Sequence, residues 1–222
     1  MNDGIMVIET SCEESSISVC RGKEILGSFT WQADRNQSSL IFIELKKALN
    51  LLGDTPLKTI LVGAGPGAYG SIRVALAVAD GLALALGAQI ASICSWEGLA
   101  TEESDYWVIS NARRGGWAFG QIKENCLRNP ITVLPHDEAM LFLNKIKQEG
   151  NIVYSIESEE YMVSQGVEGV TCLRPDSSFI LKKWLNRSEK DQACILNQEP
   201  GPIYVRPPHI TPAKRPSWAV RA

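Results

Sequence analysis

The stretch from Thr59 to Leu86 constrains this chain more than any other. TILVG reads as a buried strand. It runs into the glycine-rich turn Gly63-Ala64-Gly65-Pro66-Gly67-Ala68-Tyr69-Gly70-Ser71 and then into a small-residue helix, Ile72 to Leu86, with Ser71 as its cap. A strand that feeds a helix through so tight a turn points to an α/β sheet with the helix laid on its face. Glycine there permits positive φ and the close approach of another backbone or of a phosphate. Free N–H groups at the helix start favour an anion. The same residues read equally well as a packing turn, because GxGxxG is not matched.

The elements around this turn extend the pattern. Ile5 to Glu9 is a short apolar strand ending in the polar cluster Glu9-Thr10-Ser11. Ser16 to Cys20 alternates as a half-buried strand does, Arg21-Gly22-Lys23 turns, and Ile25 to Trp31 completes a meander. A helix follows from about Ser38 to Leu52, with Ser38 or Ser39 as N-cap and Gly53 past its end. Its apolar residues cover an arc of roughly 200°, twice the width that one-sided packing needs, so two sides are expected to be buried. Ile90 to Cys94 is a strand, and Trp96 to Thr101 a short helix capped by Ser95.

A smaller unit is expected after residue 103. Tyr106 to Ser110 and Gly116 to Ile122 flank the hairpin turn Asn111-Ala112-Arg113-Arg114-Gly115. Ile131 to Leu134 is a strand, Asp137 to Gln148 a helix with an acidic start and lysines near its end, and Asn151 to Ile156 a strand. Asp176 caps a helix to about Trp184, and PIYVR, Pro202 to Arg206, is a last strand. The division expected is 1–103, 104–208 and a Pro-rich basic tail, 209–222, containing Lys214, Arg215 and Arg221.

Several chemistries lack their residues. The two histidines, His136 and His209, form no metal-binding pair, and neither a GxSxG elbow nor a Walker loop is present. No carboxylate pair in register for acid–base work stands out, so neither a catalytic residue, a metal nor a cofactor is expected. The six cysteines are dispersed without a CxxC pair and read as reduced thiols. A net charge of −3 speaks against coating nucleic acid by charge alone. The N-terminus has no signal-peptide pattern, and the longest apolar run, Val74 to Ile90, is interrupted by Asp80 and Gln89. A membrane span needs about 20 apolar residues with few charges; a buried helix is expected instead, in a cytoplasmic protein.

Two constellations remain. Glu9, Thr10 and Ser11, with Gly65, Gly67, Gly70 and Ser71, could hold a nucleotide phosphate. Arg73 and Asp80 lie seven residues apart, within about 20° on a helical wheel. With Ala77 and Leu84 on the same helix, and Ile41 and Leu45 on the preceding one, they mark a stripe on which a second subunit could pack.

The ordered set IMVIETSCEESSISVC, GAGPGAYGSIRVALAVADGLALALG, ASICSWEGLA, ISNARRGGWAFGQI and PGPIYVRPP resembles the TsaB (YeaZ-like) family over about residues 5 to 208. The resemblance implies an actin/Hsp70/sugar-kinase-like (ribonuclease H-like) fold with two lobes, the second smaller and degenerate. It also implies a non-catalytic role beside a TsaD-like subunit, with a TsaE-like ATPase, in threonylcarbamoylation of the adenosine next to the tRNA anticodon. It implies partner docking through the two helices, self-association when the partner is absent, and only indirect contact with tRNA. Glu9 stands where that family has Asp, Ala68-Tyr69-Gly70-Ser71 where it has SFTG, and Asn111 where it has the Asp of DARRG. Arg35-Asn36-Gln37-Ser38 occupies a stretch where it often has His. The runner-up is an independent ATP-binding enzyme of the same superfamily.

Overall fold

The computed structural model describes residues 3–32 and 37–206. The basic tail and the Arg35-Asn36 part of the departure noted above lie outside the described residues. The first sheet has the order β3-β2-β1-β4-β5, built from β1 (Gly4–Glu9), β2 (Glu14–Arg21), β3 (Glu24–Gln32), β4 (Leu57–Gly63) and β5 (Gln89–Ile93). β1, β2 and β3 form the expected antiparallel meander, whereas β4 and β5 run parallel to β1. Parallel neighbours need crossovers. These are α1 (Gln37–Leu52), between β3 and β4, and α2 (Tyr69–Leu86), between β4 and β5.

The second sheet repeats this plan with shorter parts. It contains β6 (Tyr106–Asn111), β7 (Gly116–Lys123), β8 (Cys126–Leu127), β9 (Thr132–Pro135), β10 (Val153–Ser155) and β11 (Thr171–Cys172). Its order is β11-β10-β6-β7-β8, with β9 also paired to β7. α3 (His136–Gln148) and the single-turn α4 (Glu159–Ser164) occupy the places of α1 and α2. The fold is thus α/β of the actin/Hsp70/sugar-kinase-like class, two lobes of one topology with the second reduced.

Alternation along β1 divides the core. Met6 and Ile8 face α1 and α2, meeting Ile41, Leu45, Ala48 and Ala75. Val7 faces the other way, toward Ile180, Leu181 and Trp184 of α5 (Ser177–Leu185). α5 and α6 (Glu189–Leu196) come from the C-terminal half of the chain, yet α5 lies on β1 and β2, and α6 on β5. Their docking explains a departure from expectation: β2 is buried on both faces, not half-buried. Ser16 accepts from the Ser177 N–H at 2.8 Å, and the Ser18 and Ser177 hydroxyls lie 2.7 Å apart, so the polar face of β2 is satisfied against α5.

Other boundaries shift for local reasons. α1 already starts at Gln37, before Ser38 and Ser39. α2 begins at Tyr69 with Ala68 at its N-cap, so Ser71 sits in the first turn and is not the cap. The Trp96 helix is a single 3-10 turn, Ser95–Gly98, preceded by Cys94. Asp176 caps α5 as expected, accepting from Ser178 N–H. PIYVR forms no strand; Ile203 N–H donates to the Ala64 carbonyl at 2.7 Å and Tyr204 stacks on Tyr69, ring centroids 5.0 Å apart. α2, expected to be buried, is long and apolar enough to cross a membrane by length and composition, but only Ile72, Ala75 and Ala79 are fully buried.

The glycines of the turn carry unequal loads. A Cβ on Gly67 would overlap the Ser11 carbonyl oxygen, and one on Gly63 the Glu9 carboxylate, whereas one on Gly70 meets nothing within 4 Å. Gly67→Ala is therefore expected to destabilise the protein by about 2 kcal/mol or more. Gly70→Ala, within a helix, should be neutral or stabilising by up to about 1 kcal/mol. Urea denaturation of the two variants checks the contrast.

Candidate functional site

The end of β1 and the start of α2 meet at a cleft between the lobes. It measures about 500 Å³ and is lined by Ser11, Gly67 and Ser71 from the first lobe and by Asn111, Glu157 and Arg174 from the second. Ser11 is held by its carbonyl, which accepts from the Ala68 N–H at 2.7 Å. Glu157 accepts from the Asn111 backbone N–H at 2.8 Å, and Arg174 donates to the Ile156 carbonyl at 2.5 Å. Both are thereby fixed by the second lobe's own backbone.

Within this frame the phosphate candidates divide. Ser11, Gly67 and Ser71 reach the cleft. Thr10 is buried and donates its hydroxyl to the Ser71 carbonyl at 3.0 Å, which ties β1 to α2. Gly65, at φ +94°, is a turn residue whose N–H donates to Ser95 Oγ at 3.0 Å. Gly70 is exposed in the first turn of α2.

Glu9 is corrected outright. It is fully buried and absent from the cleft lining, with one carboxylate oxygen accepting from the Ser11 N–H at 2.6 Å. Its Oε2 makes no hydrogen bond among the described residues and lies over Gly63. Burial holds its pKa above the ordinary carboxylate value, against the lowering effect of the bonds to Ser11. A carboxyl group buried beneath the turn does not reach the cleft. Among the described residues no cluster of His, Cys, Asp and Glu could hold a metal ion. His136 accepts from the Trp117 indole at 3.1 Å, a structural bond. The cysteines are free; burial pushes the Cys12 thiol up to about 12 and the Cys20 thiol to about 11, out of reach of nucleophilic work.

The second constellation is a surface. Arg73, Ala77, Asp80 and Leu84 are all exposed along α2, Leu84 at 90%. Ile41 and Leu45 are not on it: both are buried beneath α1 in the first lobe's core. The broad apolar arc of α1 is shared between that core and exposed Phe42 and Ile43, 57% and 52% accessible. Phe42 closes a shallow apolar groove with Val74, Val78, Gly81, Leu82 and Ala85 of α2. Sequence reading did not place Phe42, Val74, Val78 or Leu82 on this surface, although the three- and four-residue spacing of the α2 residues beside Ala77 was there to find. At the N-terminal end, the Arg73 guanidinium lies 5.3 Å over the exposed Tyr69 ring. Contiguous exposed apolar surface of this kind marks an interaction site more often than idle surface.

A family model described as TsaD, tRNA N6-adenosine threonylcarbamoyltransferase, matches residues 30–115. The chain is 27% identical over 176 residues to the tRNA threonylcarbamoyladenosine biosynthesis protein TsaB of Bacillus subtilis (strain 168), covering 75% of this chain and 76% of that protein. The likeness to the TsaB family that the ordered motifs carry is thereby upheld. Two solved structures share the fold. One is an uncharacterized Pseudomonas aeruginosa protein with similarity to peptidase YEAZ: TM-score 0.69, 19% identity, 92% of this chain and 100% of that one. The other is YeaZ from Pseudomonas aeruginosa, with TM-score 0.61, 20% identity, and 82% and 89% coverage.

The buried Glu9 makes its own prediction. An acid whose folded pKa is raised loses its proton near the ordinary value of 4.5 when the chain unfolds but keeps it to higher pH when folded. Its contribution to stability therefore falls as pH rises from about that value through the folded pKa. Glu9→Gln is expected to flatten this part of the melting-temperature profile and to leave the protein at least as stable at pH 7. An unchanged slope would show that Glu9 is ionised in the folded state.

Proposed function

We propose that this chain is a non-catalytic partner subunit in tRNA threonylcarbamoyladenosine biosynthesis. It docks through the α1–α2 face onto a TsaD-like threonylcarbamoyltransferase and supports that subunit, together with a TsaE-like ATPase, in the cytoplasm. The likeness to TsaB supports involvement in the pathway. The observation that carries the docking role is the uncovered groove between Phe42 and the α2 residues Val74 to Ala85, flanked by Arg73, Asp80 and Leu84. Helix pairs packed by ridges into grooves require small residues where axes approach closely, and Ala77, Gly81 and Ala85 supply them. The charged pair then sets register: charges at a rim discriminate between partners more than they add affinity. Without its partner the same face would pair with a second copy, and tRNA contact would remain indirect, as the net charge of −3 favours.

The ATP-binding reading loses one of its candidate phosphate residues, since Glu9 is folded away beneath Gly63.

Calorimetry against the TsaD-like protein of the same organism tests the proposal. A stoichiometric complex is expected, weakened about tenfold or more by Leu84→Asp or by Asp80→Arg. Both positions are exposed, so both variants should fold, and Leu84→Asp should also convert any homodimer to monomer on a sizing column. No complex between two folded proteins would overturn the reading.

A further inference from the structure

A second cavity, of about 460 Å³, lies at the end of the first sheet remote from the cleft. The β2–β3 turn, α5 and the β7–β8 turn enclose it. Its lining holds three lysines, Lys23, Lys182 and Lys183, against one carboxylate, Glu102, on a chain whose overall formal charge is −3. Positive charge gathered in one place on an acidic protein calls for a cause.

Lys183 supplies the sharper observation. It is 91% buried on α5, yet no carboxylate lies within ion-pairing distance of it among the described residues. Every nearby acid is engaged elsewhere. Glu97 accepts from Arg187 at 2.5 Å and from the Leu127 N–H at 2.9 Å, and Glu102 pairs with Lys182 at 3.6 Å. What Lys183 Nζ has is the Tyr106 phenol, 3.5 Å away, and the face of its ring, 5.4 Å to the centroid. That phenol donates its own proton to the Trp96 carbonyl at 2.8 Å, and burial together with Glu97 keeps it neutral. A nearly buried ammonium without a counterion is costly unless an anion comes to it.

We propose that this cavity binds a small doubly charged anion, inorganic phosphate or a phosphomonoester, with Lys183 as the buried anchor and Lys23 and Lys182 at the mouth. Asn125 and Asn186 line the same space, and an amide side chain can donate to the remaining oxygens. Phe179 and Leu185 give an organic phosphate an apolar wall. Burial lowers the Lys183 pKa to about 8, with Arg187 lowering it further and Glu97 and Glu102 opposing. A bound dianion would raise it.

Isothermal titration of the full chain with inorganic phosphate, glycerol 3-phosphate and succinate tests the site. One saturable site is expected for a phosphate ligand, with succinate weaker. Tighter binding of glycerol 3-phosphate than of inorganic phosphate would assign the site to a phosphomonoester, and the reverse to the free ion. Lys183→Met and the exposed Lys23→Met should each weaken binding about tenfold or more, and Lys145→Met, on α3 of the second lobe and outside the cavity lining, should not. In the wild type, the Lys183 side-chain NMR resonance should titrate near 8 and move upward under saturating phosphate, a reading that does not depend on Lys183→Met folding. Absent saturable binding, equal binding by Lys23→Met and wild type, or a Lys183 midpoint indifferent to phosphate would each overturn the proposal.

Discussion

The backbone of Gly67 rests directly on the backbone of Ser11, and most of the first lobe follows from that approach. The Ala68 N–H donates to the Ser11 carbonyl at 2.7 Å, and any side chain at residue 67 would strike the same carbonyl. The contact sets where α2 begins and how it is rotated on the sheet. Ile72, Ala75 and Ala79 then face β1 and β4, so Arg73, Ala77, Asp80 and Leu84 face outward. The proposed partner face is therefore a consequence of the turn. So is the cleft floor, because Ser11 and Gly67 are the same pair seen from the other side.

Glu9 serves the fold of the turn and not the cleft. Its carboxylate reaches back to the Ser11 N–H, in the manner of an Asx turn one carbon longer, and occupies the space above Gly63. Gly63 is glycine because Glu9 is there, and burial holds the Glu9 pKa above the ordinary carboxylate value. What looked in the sequence like part of a phosphate site is, for that residue, an internal brace. Ser11 and Ser71 remain at the cleft with their hydroxyls, beside Glu13 and, from the second lobe, Glu157 and Arg174, whereas the β1 carboxylate is not part of its lining.

The legible part of the fold was the part governed by local rules. The meander, the strand–turn–helix unit, the 111–115 hairpin and the Asp176 cap rest on alternation, glycine and capping, which act within a few residues. What escaped depends on distant partners. The serines of β2 looked like a solvent face until Ser177, 159 residues on, satisfied them. PIYVR looked like a strand, but its pairing is one bond to Ala64 and a ring on Tyr69. α4 and α6 are short and carry too few apolar residues for periodicity to register. In the candidate face, Arg73, Ala77, Asp80 and Leu84 were legible from helical spacing. Ile41 and Leu45 were misassigned because an apolar arc does not say which of its edges meets the core.

α2 meets length and composition criteria for a membrane span, and packing argues for a protein partner instead. A lipid-facing helix has no use for small residues on its outer side, since hydrocarbon fills any shape. Ala77, Gly81 and Ala85 flank a groove whose other wall is Phe42 of α1, a shape that a facing helix fills and disordered chains do not require. Asp80 lies on the same exposed side, where a bilayer would impose a cost of a few kcal/mol and a basic partner residue would not. The cation over Tyr69 at one end and the bare Leu84 at the other give that face a polarity along its axis. A second helix can therefore tell one orientation from the other, which is what a specific subunit contact requires and a lipid contact does not.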